Sequence, residues 1–222
     1  MSQNFKDTAL IVFVRLPVPG KVKSRLSESL GPRAAAAFYR ECAEKLFREC
    51  ALIASGAQLF IFYCDRQDKA AVERWAGPGF RFSPQRGHGL GRRLENALGE
   101  VFGSGAARAV VMASDVPDLS AGLITDAING LVDYNIVLGP SLDGGYYLLG
   151  MSKLHRELFR GISWSTDRVL SQTLDAAGRL GMSVKMMPQL RDIDTVKDLR
   201  EWMETAASNN PVLQYLRRGL PA

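Results

Sequence analysis

Charged side chains of opposite sign close two apolar runs in this chain, and their types suit phosphate and metal chemistry. Asp115 follows AVVMAS (Ala109–Ser114) within the string SDVPDL. A short Val-rich run closed by a polar residue and a Pro reads as a buried parallel strand. A carboxylate at the carboxyl end of such a strand lies where open α/β sheets bind ligands. There it can hold Mg²⁺ or Mn²⁺ while substrate phosphates complete the shell. The first apolar run, TALIVFVR (Thr8–Arg15), leads into the cationic loop LPVPGKVKSRL, Leu16–Leu26. Pro17 and Pro19 stiffen that loop, and Gly20 lets it turn or approach a ligand closely. In an extended segment Lys21, Lys23 and Arg25 share one face, so they can converge on a leaving diphosphate or pyrophosphate. A solvated basic turn has the same composition. The loop is not a Walker motif, because GxxxxGK[ST] is absent.

Two further strings carry carboxylates. In LDGGYYLLG, Asp143 precedes two glycines and can orient an acceptor hydroxyl or act as a general base. A plain turn between strands would look the same. Tyr146 and Tyr147 should face opposite sides of a strand. In RDIDT, Asp192 and Asp194 share a face if extended, and either can supply a second metal ligand. Near a helix start they would also favour the helix dipole. GHGLGRR fails GxGxxG as written, but can form a glycine loop near a nucleotide. Asp118 reads as solvent-facing or close to the next helix start, and Trp164 as core.

These residues need a scaffold. The 222 residues favour one large domain, and 46% hydrophobic content supplies a core. Residues 1–208 are expected to form the domain, with an irregular tail over 209–222. No apolar run approaches the roughly 20 residues of a membrane span. MSQNFKDTALIVFV is a poor signal peptide, so a cytoplasmic location is expected. Cys42, Cys50 and Cys64 read as reduced thiols rather than a disulfide framework. His88 and His155 are far apart, which argues against a His-rich zinc site. The net charge of +5 is concentrated early and around Arg86, Arg92 and Arg93. Without interleaved aromatics or a nucleic-acid motif, small phosphorylated ligands are favoured over DNA or RNA.

Strand and helix patterns alternate, which predicts an α/β layered fold. Helices are expected over about Arg33–Ala54, Lys69–Trp75, Leu90–Phe102, 121–132, Thr166–Gly178 and Val196–Ala207. Ser120, Ser165 and Thr195 are read as their caps where they precede a helix, Thr195 with Asp198 as a capping box. Further strands are expected at Gln58–Cys64, Phe80–Phe82 and Val184–Met187. Asn135–Pro140 and Tyr146–Met151 form a hairpin or meet at a bend.

Taken together, PGKVKSRL, QRGHGLGRRL, SDVPDLS, LGPSLDGGYYLLG, WST and DIDTVKDL resemble a family of small bacterial proteins described as nucleotide-diphospho-sugar transferases, long labelled as of unknown function. The resemblance spans about Leu10 to Trp202. It implies the glycosyltransferase-A and nucleotidyltransferase fold, a three-layer α/β/α sandwich around a mixed, mostly parallel sheet. It implies that Pro19, Gly20, Lys23 and Arg25 belong to the phosphate-side loop; Leu16 and Lys21 are expected to bind phosphate beside them, and Lys23 and Arg25 to be catalytic. It sets Gln85, Gly87, Gly91 and Arg92 near the nucleotide. Asp115 matches the metal aspartate and Asp194 the second one, with Asp192 in contention. The implied cofactor is Mg²⁺ or Mn²⁺, and the implied substrate is a nucleotide sugar or a nucleoside triphosphate. The chain departs from the usual glycosyltransferase signature, having Asp115-Val-Pro-Asp118 in place of DxD.

Overall fold

A computed structural model describes residues 6–53 and 56–220. The described residues form a three-layer α/β/α sandwich around a seven-stranded sheet. In chain order the strands are β1 (Thr8–Val14), β2 (Gln58–Cys64), β3 (Arg81–Gln85), β4 (Arg108–Ala113), β5 (Ile136–Pro140), β6 (Tyr146–Met151) and β7 (Val184–Met186). The helices are α1 (Ser24–Leu30), α2 (Pro32–Leu52), α3 (Lys69–Ala76), α4 (Gly89–Gly103), α5 (Ala121–Gly130), α6 (Val169–Arg179), α7 (Val196–Thr205) and α8 (Pro211–Arg217).

The sheet order is β3-β2-β1-β4-β6-β5-β7. All neighbours are parallel except that β6 runs antiparallel to both β4 and β5. The cause is local. Only Ser141–Gly145 separate β5 from β6, too few for the crossover that parallel strands need, so the two form a hairpin. The other sequential strand pairs from β1 to β5 are separated by helices.

Strand residues alternate between two cores. Leu10, Val12 and Val14 of β1 pack with Leu46 and Phe47 of α2 and Ile124 of α5. Ala9 and Ile11 pack with Leu94 and Leu98 of α4 and Ala177 of α6. A strand covered on both faces reads as continuous hydrophobics, as β1 does. A third cluster joins Leu26 of α1, Phe38 of α2, Trp202 of α7 and Leu213 of α8.

From β1 the chain winds outward to β2 and β3, then returns to place β4 on β1's other side. The register Phe13↔Ala113 sets the carboxyl ends of β1 and β4 side by side. This is the switch point where α/β sheets open a crevice.

Four expectations need correction. The basic loop does not stay extended to Leu26. Lys23 is left-handed (φ 48°, ψ 52°) and α1 begins at Ser24, so the shared face of Lys21, Lys23 and Arg25 is broken. Ser165 does not cap a helix. It too is left-handed, and α6 begins at Val169 after Arg168. The segment from Asn209 is not irregular. Asn210 caps α8, Pro211 sits at its first turn, and Val212 and Leu213 are buried. The third strand runs over Arg81–Gln85, later than Phe80–Phe82. Ala54, the expected end of the long helix, lies outside the described residues. The Ser120 cap and the Thr195–Asp198 capping box form as read from sequence.

Candidate active site

The loop after β1 is built to deliver one amine. Lys21 N–H donates to the Val18 carbonyl at 3.0 Å, closing a turn over Pro19 and Gly20. Gly20 has φ +75°, which a glycine adopts without steric cost. Lys23 then takes a conformation that costs most L-residues about 1–2 kcal/mol. Among the described residues only Lys23 and Ser165 are non-glycines with positive φ, and both line the same cleft. Such strain gathers at functional sites.

That cleft, about 590 Å³, opens at the β1/β4 switch point. In it Lys23 Nζ donates to Asp115 Oδ2 at 2.7 Å and to Asp194 Oδ1 at 2.6 Å. The lysine side chain is 5% exposed, against 27% for Asp115 and 46% for Asp194. Burial acts to lower the Lys23 pKa, but the two carboxylates outweigh it and hold the ammonium above its ordinary value.

Asp194 is aimed by its neighbours. Ile193 N–H donates to the Asp115 carbonyl at 3.3 Å, so this segment runs beside the end of β4. Asp198, whose Oδ2 accepts from Thr195 N–H at 2.8 Å, also accepts from Asp194 N–H at 3.3 Å. Asp192 lies in the same acidic field. Burial first, then Asp143, Asp115 and Asp194, push its carboxyl up to about 6.

Two carboxylates that turn one oxygen each toward a single cation form a donor set suited to Mg²⁺ or Mn²⁺. Among the described residues no group of three or more His, Cys, Asp or Glu converges as a metal site. Phosphate oxygens and water would supply the remaining positions. Lys23 Nζ stands between the same two carboxylates, so a metal held there would have to displace the amine.

Several residues that the sequence reading did not assign to the site complete it. Tyr39 of α2, buried, accepts a hydrogen bond from Arg15 N–H at 3.0 Å and shares one with Ser114 Oγ at 2.9 Å. It thereby ties the end of β1 to the end of β4. Burial raises its hydroxyl pKa and keeps it protonated. Arg15, Leu90, Arg93 and Ser165 also line the cleft. Periodicity in α4 was the available signal for Arg93, since Gly89, Leu90 and Arg93 share one helical face.

The remaining expected residues divide. Arg25 and Gln85 line the same cleft. Gln85 Nε2 donates to the Val14 and Phe62 carbonyls, pinning strand ends. Leu16, Lys21 and Gly87 line a neighbouring cleft. Pro19 and Gly20 shape the turn and line neither. Asp143 is exposed on the β5–β6 connection, where Oδ1 accepts from Gly145 N–H at 2.8 Å. Asp118 is half-buried just before the α5 cap Ser120, the second of its two expected placements. It accepts from Trp202 Nε1 at 2.8 Å and Asn210 Nδ2 at 3.0 Å, clipping α7 and α8.

Gly91 and Arg92 line neither cleft. A Cβ on Gly91 would stand 2.2 Å from Trp164 Nε1, so this glycine serves packing. Helix propensity alone would reward Gly91→Ala by about 1 kcal/mol. Overpacking costs about 1–3 kcal/mol, so we expect a net loss, read as a lower Tm. Arg92 Nη1 pairs with Glu95 at 2.6 Å, and Arg156 Nη1 meets the other Glu95 oxygen at 2.9 Å. Burial opposes ionisation of Glu95, but the bonds from Arg156 and Arg92 prevail and hold its pKa below 4.5. A depressed carboxylate stabilises above its unfolded pKa and loses that contribution as pH falls through the folded value. Glu95→Gln should therefore cost about 1–2 kcal/mol near pH 7. The gap should shrink toward zero as unfolding curves are taken down through about pH 4 and below.

The architecture is that of nucleotide-diphospho-sugar transferases and nucleotidyltransferases. A solved protein from Desulfovibrio desulfuricans G20, named as a candidate nucleotide-diphospho-sugar transferase, is 33% identical, with 96% of this chain and 95% of that chain covered at TM-score 0.90. The chain belongs to the family described as "Uncharacterized protein conserved in bacteria (DUF2064)", whose model matches residues 46–166. Two other structures share the fold alone. The 4-diphosphocytidyl-2C-methyl-D-erythritol synthase of Anaerococcus prevotii is 12% identical, covering 97% of this chain and 100% of that chain, at TM-score 0.61. Rv0371C of Mycobacterium tuberculosis, in complex with manganese, is 17% identical, covering 90% and 100%, at TM-score 0.53. No curated protein gives a significant match. No helix among the described residues is long and apolar enough to cross a membrane.

Proposed function

We propose that this cleft is the active site of a metal-dependent transferase acting on a nucleotide-diphospho-sugar. The observation that carries the reading is Lys23 Nζ held between Asp115 and Asp194 at the switch point. Asp115 and Asp194 would hold Mg²⁺ or Mn²⁺, which when bound neutralises charge on the phosphates. Lys23, released from the carboxylates, reaches the diphosphate, and Arg25 at the same cleft adds a second cation. Charge that develops on the leaving diphosphate is thus met by preorganised donors. Asp143, on the hairpin connection, is assigned to orienting an acceptor hydroxyl. Tyr39 keeps the two halves of the site in register. The named Desulfovibrio relative supports the donor class, and the manganese-bound neighbour supports the choice of metal.

One observation favours a second reading, nucleotidyl transfer from a nucleoside triphosphate. Asp118 is engaged by Trp202 and Asn210, so the string DVPD offers the cleft one carboxylate rather than two. The second comes from the segment before α7, and the fold is shared with a diphosphocytidyl synthase. A thermal-shift screen of nucleotide sugars and nucleoside triphosphates, with and without Mn²⁺, separates these readings, because a ligand of the folded form raises its stability by mass action. A nucleotide sugar that stabilises only with Mn²⁺ supports the first. Stabilisation by a triphosphate alone among them supports the second. Tight binding with no turnover in a product assay would reduce the protein to a nucleotide-binding module.

A further inference from the structure

Ser165 takes no part in the transfer chemistry proposed above, yet it lines the cleft of Lys23 and Asp115 with its backbone at φ 65°. Glycine adopts that angle without steric cost, whereas a serine there is strained. Neighbours on both sides hold the strain in place. Ser163 N–H donates to Gln172 Oε1 at 2.7 Å, and Gln172 Nε2 donates back to Ser163 Oγ at 3.3 Å. Thr166 Oγ1 donates to the Ser163 carbonyl at 2.7 Å and accepts from Arg168 N–H at 3.3 Å. Trp164 stacks on Phe159 with ring centroids 6.3 Å apart and meets Tyr146 edge-on at 6.4 Å. Leu170 N–H donates to the Gly144 carbonyl at 2.9 Å, which ties this segment to the β5–β6 connection. The hydroxyls of Ser163 and Thr166 are thus engaged within the loop. Ser165 is exposed, and among the described residues its hydroxyl makes no hydrogen bond. A rigid loop that keeps a strained serine, and leaves that one hydroxyl free in a cleft, is shaped to present it to a ligand.

Chemistry narrows the group that it meets. A serine hydroxyl is neutral and both donates and accepts, so it matches another hydroxyl and brings no charge to a phosphate. Phe13, which lines the cleft, packs against the same apolar cluster as Trp164. An apolar wall beside one fixed polar group suits a sugar ring, which offers C–H and O–H groups together. We propose that Ser165 is a specificity-determining residue that binds a hydroxyl on the sugar portion of the donor. The inference rests on the donor class proposed above. Lys23 and Arg25 come from the chain after β1, so diphosphate and sugar are recognised by separate segments.

The test is calorimetric titration of the full chain, in Mn²⁺, with UDP-glucose, GDP-glucose, ADP-glucose and dTDP-glucose and with the nucleoside diphosphate of each. For the pair that binds, Ser165→Gly and Ser165→Ala should weaken the nucleotide sugar about fivefold or more and the diphosphate less than about twofold. Glycine keeps the backbone angle without strain, so a loss in Ser165→Gly is the loss of the hydroxyl. Wild-type affinity for the nucleotide sugar in Ser165→Gly overturns the inference and leaves the donor class standing. Equal weakening of nucleotide sugar and diphosphate overturns it too, because the serine then serves the nucleotide or the fold. Failure of the wild-type chain to bind any of the four nucleotide sugars removes the donor class, and this inference with it.

Discussion

Asp115→Asn will abolish Mn²⁺-dependent nucleotide binding while leaving the protein folded. The substitution keeps the shape of the side chain and removes one of the two charges that meet at Lys23 Nζ. Changing groups that merely support a metal ligand costs about 10–100-fold in affinity, so loss of a ligand itself should exceed about 100-fold. Folding should survive, because Asp115 is 27% exposed and Lys23 keeps Asp194. The Ile193 N–H bond goes to the backbone carbonyl of residue 115, which is unchanged. The measurement is titration with a nucleotide in Mn²⁺ and in EDTA, beside a thermal melt. Unchanged affinity in Mn²⁺ would remove Asp115 from the site.

Lys23→Met should act in opposite directions on two ligands. Affinity for a nucleoside diphosphate should fall at least about tenfold, because a charge-assisted hydrogen bond to phosphate is lost. Affinity for the parent nucleoside should change little. Affinity for Mn²⁺ alone should rise about tenfold or more, because removing the ammonium frees two carboxylates to repel each other until a cation joins them. A merely structural lysine would weaken all three ligands together. Equal losses for nucleoside and nucleoside diphosphate, or Mn²⁺ binding no tighter than in wild type, would contradict the assigned role. The buried Lys23 contacts both carboxylates, so a melt must accompany the titrations.

What could be read from the sequence was what local chemistry decides. The Val-rich run before Asp115, the short SLDGG connection and the Thr195–Asp198 box each carry their own instructions. Strand, hairpin and cap therefore emerged from a few adjacent residues. The pairing of a cationic loop with Asp115 was also legible in outline. The details that escaped depend on a single residue or on distant partners. One left-handed residue at Lys23 starts α1 early and parts Lys21 from Arg25, and nothing in KVKSR marks it. Tyr39 lies 24 residues from Arg15 and 75 from Ser114, so its tie between strands exists only in the folded chain. Arg92 and Arg93 are chemically alike, and helical phase alone sends one to Glu95 and the other to the clefts. Asp118 read as solvent-facing or close to a helix start, and its bonds to Trp202 and Asn210, far along the chain, exist only in the folded chain. The last helix was missed because its apolar stretch is short, and its burial comes from the third core cluster.

The central claim is that Asp115 and Asp194 are a cation seat that Lys23 fills until metal and phosphates arrive together. Anomalous diffraction from crystals soaked with Mn²⁺ and a nucleoside diphosphate tests it most directly. The account predicts a manganese peak between the two carboxylates, with the Lys23 amine moved onto a phosphate oxygen. A peak elsewhere, with the amine still clasped by both aspartates beside a bound nucleotide, would contradict it.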